Sequence, residues 1–165
     1  MEIKFNQEDL KEIEHIKSKY PNTESAIMPI LWFSQNKFGY ISDEVIIYLS
    51  DLLKISASKI EGIVSFYTMF HRKPVGKYHI QVCTNVSCMV RDGIKLFHYV
   101  SDKYKVKNME TTSDGLLSLE EVECMGACGG APMIAINENY YENIDIPKLD
   151  AILSELKITS DSKNY

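Results

Sequence analysis

Apolar residues recur at helical spacing through the first 72 positions, and at Lys73-Pro74-Val75-Gly76 the period drops from 3.6 to 2. Asn6 before Gln7-Glu8-Asp9 marks a helix start, Leu10, Ile13 and Ile16 form its stripe, and Tyr20-Pro21 ends it. A second helix is expected over Ala26 to Phe38, closed by Gly39. Pro29 then falls in its first turn or marks a kink, because only a position whose N–H lacks a helical partner loses nothing to proline. Ser42 with Asp43-Glu44 opens a third helix that turns Val45, Ile46, Leu49, Leu52 and Leu53 inward. Ser56 caps a fourth, carrying Ile60, Ile63, Val64 and Tyr67. Residues 1–72 thus read as about four short helices packed on one another. The dense aromatic and Met stretch from Ser65 to His71 is expected to be mostly bundle core, with a fraction left as a docking surface.

Beyond residue 73, Tyr78, Ile80 and Val82 alternate with His79, Gln81 and Cys83, a strand that ends on Cys83. A helix is expected from about Met89 to Lys103, burying Val90, Ile94, Phe97 and Tyr104, with its positive end beside Cys88. Residues 105–115 are polar and finish in the turn Ser113-Asp114-Gly115. Leu116 to Glu123 offers a strand into Cys124, although Glu120-Glu121 blurs its alternation. Met133 to Ile136 and Tyr140-Tyr141, joined by Asn137-Glu138-Asn139, form a hairpin at one side of a sheet. A last helix begins near Pro147 and buries Leu149, Ile152, Leu153 and Leu156, and the polar end of the chain is expected to fray. Strand, helix, three strands and helix make a compact α/β unit of about 90 residues.

A net charge of −5 with no long basic run argues against nucleic acid as a partner. No apolar run approaches the length of a membrane span, and Met1 to Phe5 has neither a signal-peptide core nor an Arg-rich presequence, so a cytosolic protein without membrane insertion is expected. In that compartment paired cysteines more often mean metal than disulfide.

All four cysteines fall into two pairs, Cys83/Cys88 and Cys124/Cys128, with 35 residues between them. The second pair lies in Met125-Gly126-Ala127-Cys128-Gly129-Gly130-Ala131-Pro132, small residues that let backbone approach something bulky. Structural zinc favours tighter knuckles, whereas a 2Fe-2S cluster takes two thiolates on each iron and suits two loops with longer gaps. No Cys-x2-Cys-x2-Cys run suggests 4Fe-4S, no Cys-x-x-Cys suggests thiol exchange, and no histidine lies within two residues of a cysteine as a Rieske centre would want. His79 shares the parity of Cys83 but sits roughly 13 Å back along the strand, a structural position. Spacing therefore favours 2Fe-2S over zinc, and leaves zinc and four inert buried thiols open. Gly126, Gly129 and Gly130 are candidate backbone donors to cluster sulfur; for Gly129 and Gly130 turn geometry is an equal reading. No Gly-x-Gly-x-x-Gly opens a helix, and no acid–base or nucleophile constellation stands beside the thiols, so hydride chemistry is expected on a partner.

Residues 73–88, and Glu121 to Met133 with Cys124-Met125-Gly126-Ala127-Cys128-Gly129-Gly130-Ala131-Pro132, resemble the peripheral 2Fe-2S subunit of complex I, the NADH:quinone oxidoreductase. Phe66 to Phe70 and Asn137 to Asn143 extend the resemblance over nearly the whole chain. The resemblance implies a helical N-terminal domain over 1–72, a thioredoxin-like ferredoxin domain over 73–160 and a frayed tail over 161–165. It implies Cys83, Cys88, Cys124 and Cys128 as ligands of one 2Fe-2S cluster. It also implies a larger flavoprotein partner holding FMN and NADH, further iron–sulfur subunits, and a place in a peripheral arm at the inner face of the cell membrane. Without a presequence, a bacterial member is expected. NAD-linked hydrogenases and formate dehydrogenases carry similar subunits, and the sequence does not separate these homes.

Overall fold

A computed structural model describes residues 3–161, with side chains described to residue 156. The chain forms two compact units, Met1–Pro74 and Val75–Tyr165.

The first unit is helical. Helix α1, Gln7–Ser18, starts at Asn6, whose side chain accepts from the N–H groups of Glu8 and Asp9 while Asp9 reaches back to the Asn6 N–H. Helix α2, Ile27–Phe38, follows a single 3-10 turn at Glu24–Ala26, holds Pro29 in its first turn and ends at a left-handed Gly39. Helix α3, Asp43–Leu53, is capped by Ser42 Oγ on the Val45 N–H. Helix α4, Ala57–Phe66, completes the set. Ile13, Ile30, Leu31, Val45, Leu49, Ile60 and Val64 are buried together, with Phe5 among the rings of Phe33, Phe38 and Tyr48.

Two expectations here need correction. Ser56 stands at the start of α4 but its hydroxyl makes no capping bond. The aromatic stretch is not bundle core: α4 ends at Phe66, the chain turns into extended backbone at Tyr67, and only Phe70 is buried. Phe66 is 76% exposed, and Tyr67 and Met69 are also exposed. The turn takes these residues off the helical phase that buries Ile60 and Val64. Gln35, buried on α2, ties the segment down by accepting from the His71 N–H at 2.7 Å and donating to Met69 O at 2.9 Å.

The second unit is a five-stranded mixed sheet ordered β2-β3-β1-β4-β5. Strand β1, Tyr78–Cys83, lies between β3, Leu117–Val122, which runs parallel to it, and β4, Ile134–Ile136, which runs antiparallel. Strand β5, Asn139–Tyr141, closes the expected hairpin at one edge. At the other edge is β2, Glu110–Thr111, a short strand inside the segment expected to be only a polar connection. The face carrying Ile80, Val82, Leu119, Ile134 and Ile136 packs with Leu96 and Val100 of α6, Gly93–Tyr104, and with Leu149 and Leu153 of α7, Ile146–Asp161. The tail expected over 161–165 lies, from residue 162, outside the described residues.

On the opposite face, β1 and β3 align His79 with Ser118 and Gln81 with Glu120. His79 Nδ1 lies 2.8 Å from Ser118 Oγ and its Nε2 lies 2.9 Å from Glu120 Oε2, which also accepts from Gln81. Ser118 and Glu120 are buried, so β3 is covered on both faces and loses simple alternation.

The single helix expected from Met89 is two. Helix α5, Val86–Met89, contains Cys88, and a left-handed Asp92 separates it from α6. The break resets the phase: Val90, expected inside, is 70% exposed and Ile94 is exposed, while Gly93, Leu96 and Val100 turn inward. No long helix begins directly after Cys88 in sequence; the positive end of α6 instead starts at Gly93, packed against the Cys83 and Cys88 carbonyls.

Candidate metal centre

Parallel pairing sets Cys83 beside Val122, so β1 and β3 finish together and release both cysteine loops at one end of the sheet. Three bonds hold these ends. The Cys83 N–H donates to Met133 O at 3.3 Å and the Thr84 N–H to Val122 O at 3.1 Å, and Thr84 Oγ1 donates to Glu121 Oε1 at 2.8 Å. The start of the first loop is thereby fastened to both legs of the second, by two bonds to the entering strand and one to the returning leg.

The four thiols are free of disulfides and differ in exposure. Cys83 and Cys88 are buried, at 3% and 2%, with Ala131 and Met133, and Met125 and Ala127 pack against them. Cys124 and Cys128 are exposed. Burial pushes the Cys88 thiol above its ordinary range, opposed by the Met133 backbone and reinforced by the neighbouring Cys83 and Cys128. Among the described residues, no three His, Cys, Asp or Glu side chains are grouped as they would be around a single ion.

Each expected donor glycine has its own place. The Gly126 N–H donates to Cys124 Sγ at 3.4 Å. Gly130 gives its N–H to Ala127 O within the 3-10 turn Cys128–Gly130, so that donor is spent inside the loop. What requires glycine at 130 is close approach: an added Cβ would overlap the Glu142 carboxylate and lie 2.7 Å from Glu142 Cβ. At Gly129 an added Cβ meets nothing within 4 Å. The turn is followed by the cis peptide bond Ala131-Pro132.

Gly93 carries a constraint that sequence reasoning missed. A Cβ there would lie 2.7 Å from Cys83 O and 2.9 Å from Cys88 O, so its absence lets α6 start against both cysteine carbonyls. An isolated glycine inside an apolar helical pattern was the available signal.

The donor set fits a 2Fe-2S cluster in chemistry and layout: two thiols from each of two loops at a shared sheet end, all reduced, with a backbone N–H already directed at one sulfur.

The sequence model of the family described as thioredoxin-like 2Fe-2S ferredoxin matches residues 13–157. The chain is 35% identical over 147 residues to an NADH-quinone oxidoreductase subunit of Rhizobium meliloti, covering 89% of this chain and 88% of the relative. It is 38% identical over 156 residues to the corresponding NADH-quinone oxidoreductase subunit of Rickettsia bellii, covering 93% of each. In fold it is similar to a crystal structure of an air-oxidised NAD+-reducing NiFe-hydrogenase, with a TM-score of 0.64 at 20% identity over 72% of this chain. The match spans 21% of that hydrogenase chain.

Proposed function

Because this chain belongs to the thioredoxin-like 2Fe-2S ferredoxin family, we propose that it is a one-electron carrier, with Cys83, Cys88, Cys124 and Cys128 as the ligands of one 2Fe-2S cluster. The observation that carries the reading is the release of two reduced thiol pairs from the same end of adjacent parallel strands. When bound, such a cluster supplies uptake and release of a single electron, with a formal charge of about −2 before reduction. Cys83 and Cys88 keep water from their half of the site, and the Gly126 N–H stabilises negative charge on Cys124. The exposed Cys124 and Cys128 set the side from which electrons pass to and from a partner.

That partner is a larger flavoprotein holding FMN and NADH, since a hydride brings two electrons together and flavin can release them singly. Relatives named as subunits of NADH-quinone oxidoreductase support this assembly, with further iron–sulfur subunits in a peripheral arm at the cytoplasmic face of the cell membrane. No described helix is long and apolar enough to cross a membrane. The same role in an NAD-linked hydrogenase is the second reading, motivated by the fold likeness.

The test is anaerobic isolation, iron and acid-labile sulfide analysis, and EPR of the dithionite-reduced protein. About two irons and two sulfides per chain with an S = 1/2 signal is the expected result. Stoichiometric zinc without iron or sulfide in fresh native protein would overturn the reading. Co-purification of a flavoprotein with quinone-linked or hydrogenase subunits distinguishes the two assemblies.

A further inference from the structure

The hairpin that follows the second cysteine loop folds back onto it. The Asn143 N–H donates to Gly130 O at 2.6 Å and the Ile144 N–H to Pro132 O at 3.0 Å, while Lys148 Nζ donates to Asn143 O at 2.8 Å. These bonds fix the backbone beside Glu142 and lay its side chain against Gly130, two residues from Cys128. Gly130 is buried, and the space a Cβ would fill there is taken by the Glu142 carboxylate. None of the ion pairs among the described residues includes Glu142. Of the cations around the loop, Lys95 is paired with Asp92, while Arg91 donates to Ala131 O and Lys148 to Asn143 O, neutral carbonyls that leave both positive charges in place.

A carboxylate held beside a thiolate loop opposes any further negative charge that arrives there; Arg91 and Lys148 act in the opposite sense, and the contribution of Glu142 adds to theirs without forming an ion pair. We propose that Glu142 is a built-in charge that lowers the reduction potential of the site held by the Cys124–Cys128 loop, and that glycine stands at 130 to admit it. The inference rests on the cluster reading above. Since Glu142 is exposed, water screens its charge, and its effect is of the size of a surface charge pair.

The experiment is an EPR-monitored redox titration of the full chain with iron and sulfide measured on every sample. Glu142→Gln, which keeps the shape and removes the charge, should raise the reduction equilibrium constant about two- to fivefold, roughly 20–40 mV at 59 mV per tenfold. Glu142→Asp, which keeps the charge, should stay near the unaltered protein. Glu138→Gln, an equal charge change in the exposed β4–β5 turn, should leave the potential in place. The Glu142→Gln shift should shrink at 1 M salt, where the Debye length falls to about 3 Å. A full 2Fe-2S content with no shift in Glu142→Gln, or an equal shift in Glu138→Gln, overturns the role of Glu142 alone. Absence of iron and sulfide from the unaltered protein overturns the cluster reading instead.

Discussion

Replacing Gly93 by alanine tests whether the start of α6 sets the positions of Cys83 and Cys88. The added Cβ would lie 2.7 Å from Cys83 O, 2.9 Å from Cys88 O and 3.0 Å from Cys88 C, against a comfortable separation of about 3.5 Å. All three obstacles are backbone atoms, so no side chain can swing aside. Either α6 or the cysteine loop must move by about 0.5–0.8 Å, and overpacking of this kind costs about 1–3 kcal/mol. Alanine recovers part of this, at most about 1 kcal/mol, through its higher helix propensity. A net loss of about 1–2 kcal/mol remains, equivalent to a melting temperature lower by about 5–15 °C for a domain of this size. The assay is thermal unfolding followed by circular dichroism, together with iron content and the visible spectrum of the isolated protein. Gly62→Ala is the control: an added Cβ there meets nothing within 4 Å inside α4, so it should stabilise by about 0.5–1 kcal/mol. A Gly93→Ala protein with its full iron, an unchanged spectrum and a melting temperature within about 1 °C of the original would refute the reasoning.

Gln35→Met removes both bonds that hold the 69–71 segment to α2, and should destabilise the helical unit by about 1–2 kcal/mol in urea unfolding, because two partly buried hydrogen bonds are lost. In the second unit, Lys103 and Tyr99 Oη both donate to Asp150, which lowers the Asp150 pKa below its ordinary 3.8; Lys103 is raised above 10.5, chiefly by the bond to Asp150. The depressed carboxylate contributes stability above pH 3.8 that is lost as pH falls through its folded value, and the raised ammonium contributes below 10.5 and loses it as pH rises further. Asp150→Asn should therefore melt lower than the original by a constant margin between about pH 5 and 9, narrowing below about pH 4, as measured by thermal scans across pH.

The readable parts of this chain are those in which local chemistry and burial agree. Asn6 and Ser42 cap helices, Gly39 ends one, and β1 alternates because one face meets α6 and α7. The unreadable parts are those where a tertiary contact overrides the local pattern. Glu120 looks like a surface residue, yet His79 and Gln81 bind its carboxylate across the strand pair. Val90 and Ile94 continue a helical stripe on paper, yet the left-handed Asp92 breaks the helix and turns that stripe outward. Pairing of the cysteines into loops was visible from spacing. The buried and exposed halves of the set were not, because exposure depends on the packing of Ala131 and Met133 over the first pair.

That asymmetry follows from how each pair is held. Cys83 is the last residue of a central strand and Cys88 lies in a short helix whose carbonyl abuts α6, so both inherit positions from the sheet core. Cys124 and Cys128 stand on a loop fixed by its own turn and by the strap from Asn143 and Ile144. A dry, rigid pair limits reorganisation when charge changes, whereas an exposed pair gives a partner a short approach. The strap that steadies the exposed pair is also what brings Glu142 against Gly130, two residues from Cys128, so the same few residues hold the loop and place a carboxylate beside it.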